Sequence, residues 1–330
     1  MAKKLMCLKG VLILTIIIVL TGLSSAAEFP TKPIEWITSW GLGTVTSMTM
    51  QVVGDAMSKQ LGKPVLVISA PGGGGIVGAY KAVRAKPDGY TLYLSNSASN
   101  GSVFYIKKEV PYRNSDFEHI AQIGGLFLAL IVKPNSPFKT LEEYIEYVRK
   151  NPFVIKHATL GFGTSTHMCL ELLKIEAGGL KVEMVPFKNA AELRTSVLGG
   201  HVDSTFVYGG TGGTADELRQ TLDGGGRILA VTSKQRLKPY PDVPTFVEKG
   251  LNVVYSSWYG ISVPKGLSKE VYQKLKDVIY KVLKDPQIIE TIERIGLKYE
   301  FRDSEGFNKF IEEFEKITKR IVEEAKIPKE

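Results

Sequence analysis

The sequence lacks the side-chain groupings on which catalysis and metal binding depend. Its histidines stand singly at positions 119, 157, 167 and 201, and none has a second ligand residue at a short helical spacing. No serine stands in a Gly-x-Ser-x-Gly turn, and no pair of carboxylates stands out as an acid and a base. The sequence therefore predicts no enzyme, no metal site and no cofactor.

Cysteine and excess charge are also scarce. The 330-residue chain has two cysteines, Cys7 and Cys169, and Cys169 stands among Met and Leu residues of a predicted helix, where burial is expected. The formal net charge is +8, and removal of residues 1–27 takes away three lysines and no acid, which leaves +5. Basic and acidic residues are interspersed, so the charge pattern of a nucleic-acid-binding protein is absent.

The N-terminus carries the features of an export signal. Lysines at positions 3, 4 and 9 precede the uncharged, largely apolar stretch 10–22, and small residues follow at 24–27. The apolar stretch is short for a membrane span, so we expect residues 1–27 to be a cleaved signal peptide, with an uncleaved anchor as the alternative. The protein is then periplasmic or otherwise extracytoplasmic. Its one remaining cysteine leaves no internal disulfide.

Beyond residue 33 the sequence alternates strand and helix patterns, which indicates an α/β fold. Strands are predicted at 34–39, 65–68 and 90–94, and a loop rich in glycine or hydroxyl residues follows each of them. If these strands are parallel, the loops lie side by side at one edge of the sheet. Ligands bind at that edge in open α/β sheets.

The most distinctive loop is Pro-Gly-Gly-Gly-Gly-Ile-Val-Gly at 71–78. The glycines Gly72–Gly75 expose backbone N–H groups, and a helix that begins near Ile76 adds unpaired N–H groups of its own. Such a loop can hold an anion without a cationic side chain. A dinucleotide site is disfavoured, because the next strand ends at Asn96 without the acid that binds a ribose.

The glycine loop continues into a helix and the run Ala85–Leu92, which reads Ala-Lys-Pro-Asp-Gly-Tyr-Thr-Leu. Together these segments resemble the Bug family of extracytoplasmic receptors, the substrate-binding subunits of tripartite tricarboxylate transporters. The resemblance continues through Gly161–Ser165, Val185–Lys188 and Leu198–Asp203, and covers nearly all of the chain after residue 27. It implies a two-lobed, periplasmic-binding-protein-like (Venus flytrap) fold. Each lobe is then a mixed sheet flanked by helices, with the ligand cleft between the lobes.

The order of the strands predicts the bounds of the lobes. We expect residues 28–129 and 256–330 to form lobe 1 and residues 130–255 to form lobe 2. Two segments then cross between the lobes, the apolar run 121–132 and a return strand within 253–263.

The resemblance implies a receptor that captures a small carboxylate and delivers it to the large and small membrane subunits of a tripartite tricarboxylate transporter. A receptor that presents its ligand to a membrane sensor kinase is the alternative. One departure from the family concerns the ligand. The first loop of the family usually ends in Thr-Asp, whereas Thr44 is here followed by Val45, so a ligand ammonium group has no evident partner there.

The candidate ligand-binding residues lie in loops after strands of both lobes, where backbone N–H groups and hydroxyls dominate and suit a carboxylate. We expect Gly72–Gly75 and the pair Thr164-Ser165 to hold one carboxylate from opposite lobes. Trp40 either stacks on the ligand or covers its loop, and Lys188 either adds charge or is solvated. With Leu42 and Val45, Trp40 would form an apolar end. The predicted ligand-binding residues are Trp40, Gly41, Gly43, Thr44, Thr46, Gly72, Gly73, Gly74, Gly75, Ser95, Ser97, Gly163, Thr164, Ser165, His167, Lys188, Asn189 and Tyr208.

Overall fold

The computed structural model describes residues 28–209 and 217–329. In this part of the chain the strands are β1 Ile34–Thr38, β2 Val65–Ser69, β3 Thr91–Asn96, β4 Phe117–Val132, β5 Lys156–Thr159, β6 Glu183–Pro186, β7 Ser204–Gly209, β8 Arg227–Val231, β9 Ser256–Pro264 and β10 Lys298–Arg302. The helices are α1 Val45–Leu61, α2 Ile76–Val83, α3 Val103–Ile106, α4 Leu141–Lys150, α5 Ser165–Glu176, α6 Ala190–Leu198, α7 Glu217–Asp223, α8 Lys269–Leu283, α9 Pro286–Ile295 and α10 Ser304–Glu324. The predicted signal peptide lies outside the described residues. Within those residues, no helix is both long and apolar enough to cross a membrane.

The strands form one mixed sheet in the order β2-β1-β3-β9-β4-β7-β5-β6, with β8 and β10 also paired to β4. β1 is parallel to both β2 and β3, and Ile37 lies opposite Ile68 on one side and Tyr93 on the other. The carboxyl ends of these three strands therefore meet at one edge, as the sequence predicts. In the second half of the sheet β5 is likewise parallel to β6 and β7.

The long strand β4 links the two halves of the sheet. Residues 117–127 of β4 pair with β9, and residues 127–132 pair with β7. Just before β9, where the chain returns to the first half of the sheet, the N–H of Tyr255 donates to the carbonyl of Thr232 at 3.3 Å. The fold is two-lobed α/β, as the sequence predicts. We propose the division at 28–129 with 256–330 and at 130–255, because β4 changes partner at Phe127, two residues before the proposed boundary.

Side-chain caps fix where the helices around the cleft begin. The Thr44 hydroxyl accepts from the N–H of Ser47 at 3.2 Å and opens α1, and the Asn189 amide oxygen accepts from the N–H of Glu192 at 2.9 Å and opens α6. Thr164 stands at the same position before α5, but its side chain accepts no hydrogen bond from a backbone N–H of the helix. The sequence predicts the last three helices at 268–283, 286–295 and 304–325, and α8, α9 and α10 agree with these bounds to within one residue.

The C-terminal helix α10 contacts both lobes. Phe307 near its start packs edge-on against Trp258 of β9, with ring centroids 5.5 Å apart. Ile321 near its end is fully buried in the cluster that also contains the apolar residues of α5. Arg320 pairs with Glu176 of α5 at 2.9 Å. The helix therefore bridges from the sheet of lobe 1 to a helix of lobe 2.

Cys169 is fully buried in α5, as the sequence predicts. It forms no disulfide, and burial raises the pKa of its thiol well above the ordinary value. Because the thiolate is the reactive form of cysteine, this residue serves packing rather than chemistry.

Candidate ligand-binding cleft

A cavity of about 750 Å³ lies between the lobes, where β1, β3, β5 and β7 end. Loops that follow strands of both lobes form its walls, as expected for an α/β ligand site. The predicted residues that line this cavity are Trp40, Gly41, Gly43, Thr44, Thr46, Gly73, Gly74, Ser97, Gly163, Thr164, Ser165, Lys188, Asn189 and Tyr208. The sequence therefore brings loops from both lobes to one place.

Gly72, Gly75, Ser95 and His167 do not line the cavity. A Cβ atom at Gly72 would lie 2.8 Å from Val77 Cγ2, so this glycine packs on the start of α2. Ser95 is fully buried, and its hydroxyl is 2.6 Å from that of Ser262 in β9. Ser95 therefore supports the wall from behind, whereas Gly72 is exposed beside it.

His167 holds the loop before α5 in place. It is 2% exposed, and its Nδ1 accepts a hydrogen bond from the N–H of Gly163 at 3.1 Å. Its Nε2 is 3.7 Å from Glu171 Oε1, one turn further along the helix. The ring also meets that of Phe162 edge-on at 4.9 Å. His167 thus acts on the cleft through the backbone of Gly163.

The glycine turn presents backbone to the cavity because its geometry excludes side chains. Gly74 has a φ of 68°, and a Cβ there would meet nothing within 4 Å, so its backbone is open. Gly75 has a φ of 104°, and its carbonyl accepts from the Ser39 hydroxyl at 3.0 Å. Ser39 is also 2.8 Å from the hydroxyl of Tyr93, whose pKa burial raises to about 12. A neutral hydroxyl network therefore anchors the turn to the sheet.

Three helices direct their N-termini at the cavity. Val45 and Thr46 begin α1, Ser165 begins α5, and Ala190 and Ala191 begin α6, and all five residues line the cavity. The first N–H groups of an α-helix have no partner within the helix and lie at the positive end of its dipole. The backbone alone therefore makes this cleft attractive to an anion.

Of the two hydroxyls at the start of α5, that of Thr164 already has a protein acceptor. The Thr164 hydroxyl donates to the carbonyl of Gly161 at 2.7 Å. The Ser165 hydroxyl lies near the hydroxyls of Tyr208 and Tyr255. Each hydroxyl has a single proton, so Thr164 has none left for a ligand. Ser165 and the backbone N–H groups remain the donors of this helix start.

The floor of the cavity is a set of hydroxyls that sequence analysis found only in part. Tyr208 and Ser97 were predicted, whereas Tyr259 and Ser257 of β9 were missed. Ser257 donates to the Tyr259 hydroxyl at 3.0 Å, and Ser97 donates to Ser257 at 3.4 Å. Burial raises the pKa of both tyrosines, so they are neutral hydrogen-bonding groups. The missed residues stand inside a strand rather than in a loop.

The charged side chains that line the cavity in the described part of the chain are Lys107, Lys188, Arg194 and Glu217. Positive charge exceeds negative charge, which reinforces the helix dipoles. Arg194 was also missed by sequence analysis. The one sequence feature that could have indicated this residue is its position four residues after Ala190, because that spacing places both residues on one side of α6. Among residues 28–209 and 217–329, no three His, Cys, Asp or Glu residues lie close enough to hold a metal ion.

Apolar residues complete the cavity. Trp40 and Val45 line it from lobe 1, and Phe162 lines it from lobe 2. Leu42 differs from expectation, because it is 64% exposed and outside the lining. The apolar end of the cavity is therefore formed by Trp40, Val45 and Phe162, without Leu42.

The two lobes touch beside the cavity. Ser102, in the loop after β3, donates its hydroxyl to the carbonyl of Gly163 at 3.0 Å. A Cβ at Gly163 would lie 1.8 Å from Ile106 Cδ1, and the φ of this glycine is 71°. A glycine suits this contact, because it has no Cβ to displace Ile106 Cδ1 and adopts positive φ readily.

Comparison of sequences places the chain beside a known receptor family. It matches the model of the tripartite tricarboxylate transporter family receptor over residues 49–327. A relative from Cupriavidus necator, named a UPF0065 protein in the gbd 5' region, is 30% identical over 313 residues. That match covers 93% of this chain and 91% of the relative.

Comparison of structures gives the same result. The periplasmic binding protein BugD is 26% identical with a TM-score of 0.76, covering 92% of this chain and 100% of BugD. A protein of R. palustris with bound adipate has a TM-score of 0.79 at 20% identity, covering 92% of this chain and 100% of that one. MatC of Rhodopseudomonas palustris, with bound malate, has a TM-score of 0.74 at 22% identity, covering 89% and 100%. The last two likenesses concern the fold alone.

Proposed function

We propose that this chain, which belongs to the tripartite tricarboxylate transporter receptor family, captures a small carboxylate between its lobes. The family and its solved relatives are substrate-binding receptors rather than enzymes. The observation that carries the choice of ligand is that three helix N-termini and the glycine turn open on one cleft. The adipate and malate held by two structural neighbours support a carboxylate.

In this proposal the carboxylate lies between the backbone of Gly73 and Gly74 in lobe 1 and the start of α5 at Ser165 in lobe 2. All three residues line the same cavity. Hydrogen bonds from neutral N–H and O–H donors to a charged carboxylate are stronger than neutral ones, and positive helix ends favour the charge. A ligand gripped from both lobes stabilises the closed arrangement of the two.

The family supports a proposal for export and delivery. Receptors of this kind are periplasmic, as BugD is, so we propose that residues 1–27 direct export and are then removed. We also propose that the loaded receptor delivers its ligand to the two membrane subunits of a tripartite tricarboxylate transporter. The family name supports that partner.

The proposal is tested by binding. Receptor that has been unfolded and refolded to release bound ligand is heated with mono-, di- and tricarboxylates, and at least one acid should raise the melting temperature. With that acid, Ser165→Ala should raise the dissociation constant about tenfold or more, because a hydrogen bond to a charged group contributes roughly 1.5–3 kcal/mol.

Ser95→Ala is the matched control, because Ser95 is a serine that the sequence also predicted to bind the ligand but that lies outside the cavity. Its affinity should equal that of the wild type. If no carboxylate moves the melting temperature, the proposed ligand class is wrong. Unchanged affinity in Ser165→Ala would mean that the carboxylate is held elsewhere.

A further inference from the structure

Arg194 is a charged group in the cleft that has no hydrogen-bond or ion-pair partner among the described residues. Its side chain lies on α6, is partly buried and lines the cavity. Within residues 28–209 and 217–329, no hydrogen bond or ion pair joins its guanidinium to another residue. Arg302 is also partly buried, but it donates to the amide oxygen of Gln122 at 2.6 Å. Withdrawal of a guanidinium from water is usually compensated in this way.

The surroundings of Arg194 leave room for an anion on the cavity side. Tyr208 and Glu217 share its wall of the cleft. Glu217 has an interaction of its own, and no ion pair joins it to Arg194 among the described residues. A second, adjoining void behind Arg194 has a volume of only about 10 Å³, which suits a single water. An anionic partner for the guanidinium would therefore come from the ligand in the main cavity.

Arg194 does not belong to the group of residues that would hold the first carboxylate. Those residues are Gly73, Gly74 and Ser165, which come from the glycine turn and the start of α5. Arg194 instead follows the start of α6 by one turn. A planar guanidinium offers two parallel N–H donors that match a carboxylate, which a lysine cannot reproduce. Lys188, by contrast, is an exposed residue on the loop before α6.

We propose that Arg194 is a specificity-determining residue that binds a second anionic group of the ligand, so that the receptor selects organic diacids over monoacids of the same length. This inference rests on the proposed function, because it presupposes that the first carboxylate is bound in the cleft. It goes further by assigning an acidic group to the other end of the ligand.

The experiment pairs removal of the arginine with removal of the second acid group. Dissociation constants are measured by titration calorimetry for succinate with butyrate, glutarate with valerate, adipate with hexanoate, and isophthalate with benzoate. The proteins are wild type, Arg194→Gln and Arg194→Lys, with Arg219→Gln as the matched control. Arg219 is exposed on α7 and does not line the cavity.

In the wild type, at least one diacid should bind about 10- to 100-fold more tightly than its matched monoacid, the range expected for a charge-assisted pair. Arg194→Gln should abolish that preference, because it should weaken diacid binding far more than monoacid binding. Arg194→Lys should retain part of it, because charge remains but the two-pronged geometry is lost. Arg219→Gln should behave as the wild type.

The remaining outcomes are distinguishable. If Arg194→Gln weakens diacid and monoacid equally, Arg194 has only a structural role and the inference is wrong. The same holds if every monoacid binds as tightly as its diacid. If no acid binds any variant, the proposed function itself fails. If circular dichroism shows that Arg194→Gln does not fold, Arg194→Lys is used to test the inference. A full diacid preference in Arg194→Lys would then contradict it.

Discussion

Gly163 is the residue at which a loop of lobe 2 meets lobe 1, and its substitution is predicted to strain the contact between the lobes. In Gly163→Ala the new Cβ would lie 1.8 Å from Ile106 Cδ1, and the backbone would keep a φ of 71°. Positive φ costs a non-glycine residue roughly 1–2 kcal/mol, and overpacking adds about 1–3 kcal/mol. Chemical denaturation should therefore show a loss of about 2–5 kcal/mol in the free energy of unfolding.

Gly161→Ala separates the two contributions. Gly161 has a φ of 94° in the same loop, but a Cβ there would meet nothing within 4 Å. It should therefore lose only the backbone contribution. Ile106→Ala combined with Gly163→Ala should recover part of the loss that the clash causes. Equal losses in Gly161→Ala and Gly163→Ala would show that the lobes do not press together at this residue.

At the scale of residues, the sequence predicts what local structure controls. Thr44 and Ser165 could be placed because a strand, loop and helix follow one another along the chain. Tyr259 and Arg194 could not, because they reach the cleft through the pairing of β9 with β4 and the packing of α6. Ser95 ends up behind the wall because successive side chains of a strand point to opposite faces.

At the scale of elements, α10 is the helix whose loss of packing should affect both lobes. Ile321→Ala removes a fully buried side chain from the cluster shared with α5. Truncation of a buried isoleucine typically costs about 2–5 kcal/mol, because a cavity remains. Urea denaturation should show that loss.

Ile317→Ala on the same helix is the control. Ile317 is 37% exposed, so its truncation should change the free energy of unfolding by less than about 0.5 kcal/mol. If Ile321→Ala were as stable as Ile317→Ala, the end of α10 would not hold the lobes together.

Element boundaries show where pattern reading succeeds. The last three helices were predicted closely, because Ser268, Asp285 and Asp303 cap them with side chains that accept from the helix. The strand β4 was predicted at 121–132 but begins at Phe117. Its first residues include the polar His119, which interrupts the apolar run although it is 4% exposed. A strand that contains buried polar residues is therefore longer than its apolar run, and a hydropathy pattern underestimates its length.

At the scale of the whole molecule, two buried histidines should make stability depend on pH. Burial lowers the pKa of His119 to about 4 and that of His157 to about 3, in the latter case with a smaller contribution from Lys174. Nε2 of each ring is buried without a hydrogen-bond partner among the described residues. Each histidine is therefore neutral in the folded state and takes up a proton on unfolding, once the pH falls below its unfolded pKa of about 6.5.

Because the folded pKa values are lowered, this stability is present above about pH 6.5 and is lost as the pH falls toward 4. Between about pH 7.5 and 5 each histidine should contribute about 2 kcal/mol to the loss. Urea denaturation across this range should give a shallower dependence in His157→Gln than in the wild type. His201 is exposed, so His201→Gln should retain the full dependence. An unchanged slope in His157→Gln would contradict the buried neutral state.

The overall architecture followed from the family resemblance more than from periodicity. Periodicity gives strands and helices, but it does not say which strands are neighbours. The structure joins the sheets of the two lobes into one through β4, which pairs with β9 in its first part and with β7 in its last. Contacts between strands distant in sequence decide that arrangement, and local patterns do not encode them.

The sealed thiol of Cys169 has a practical consequence, which is that the receptor is suited to conversion into an optical sensor. It is the one cysteine among the described residues and is fully buried. Thiol-reactive dyes should therefore not label it. Leu42 and Phe162 are 64% and 47% exposed on loops of opposite lobes. A fluorophore attached through Leu42→Cys or Phe162→Cys would sit at the rim of the cleft, and its emission would report occupancy directly in a plate reader.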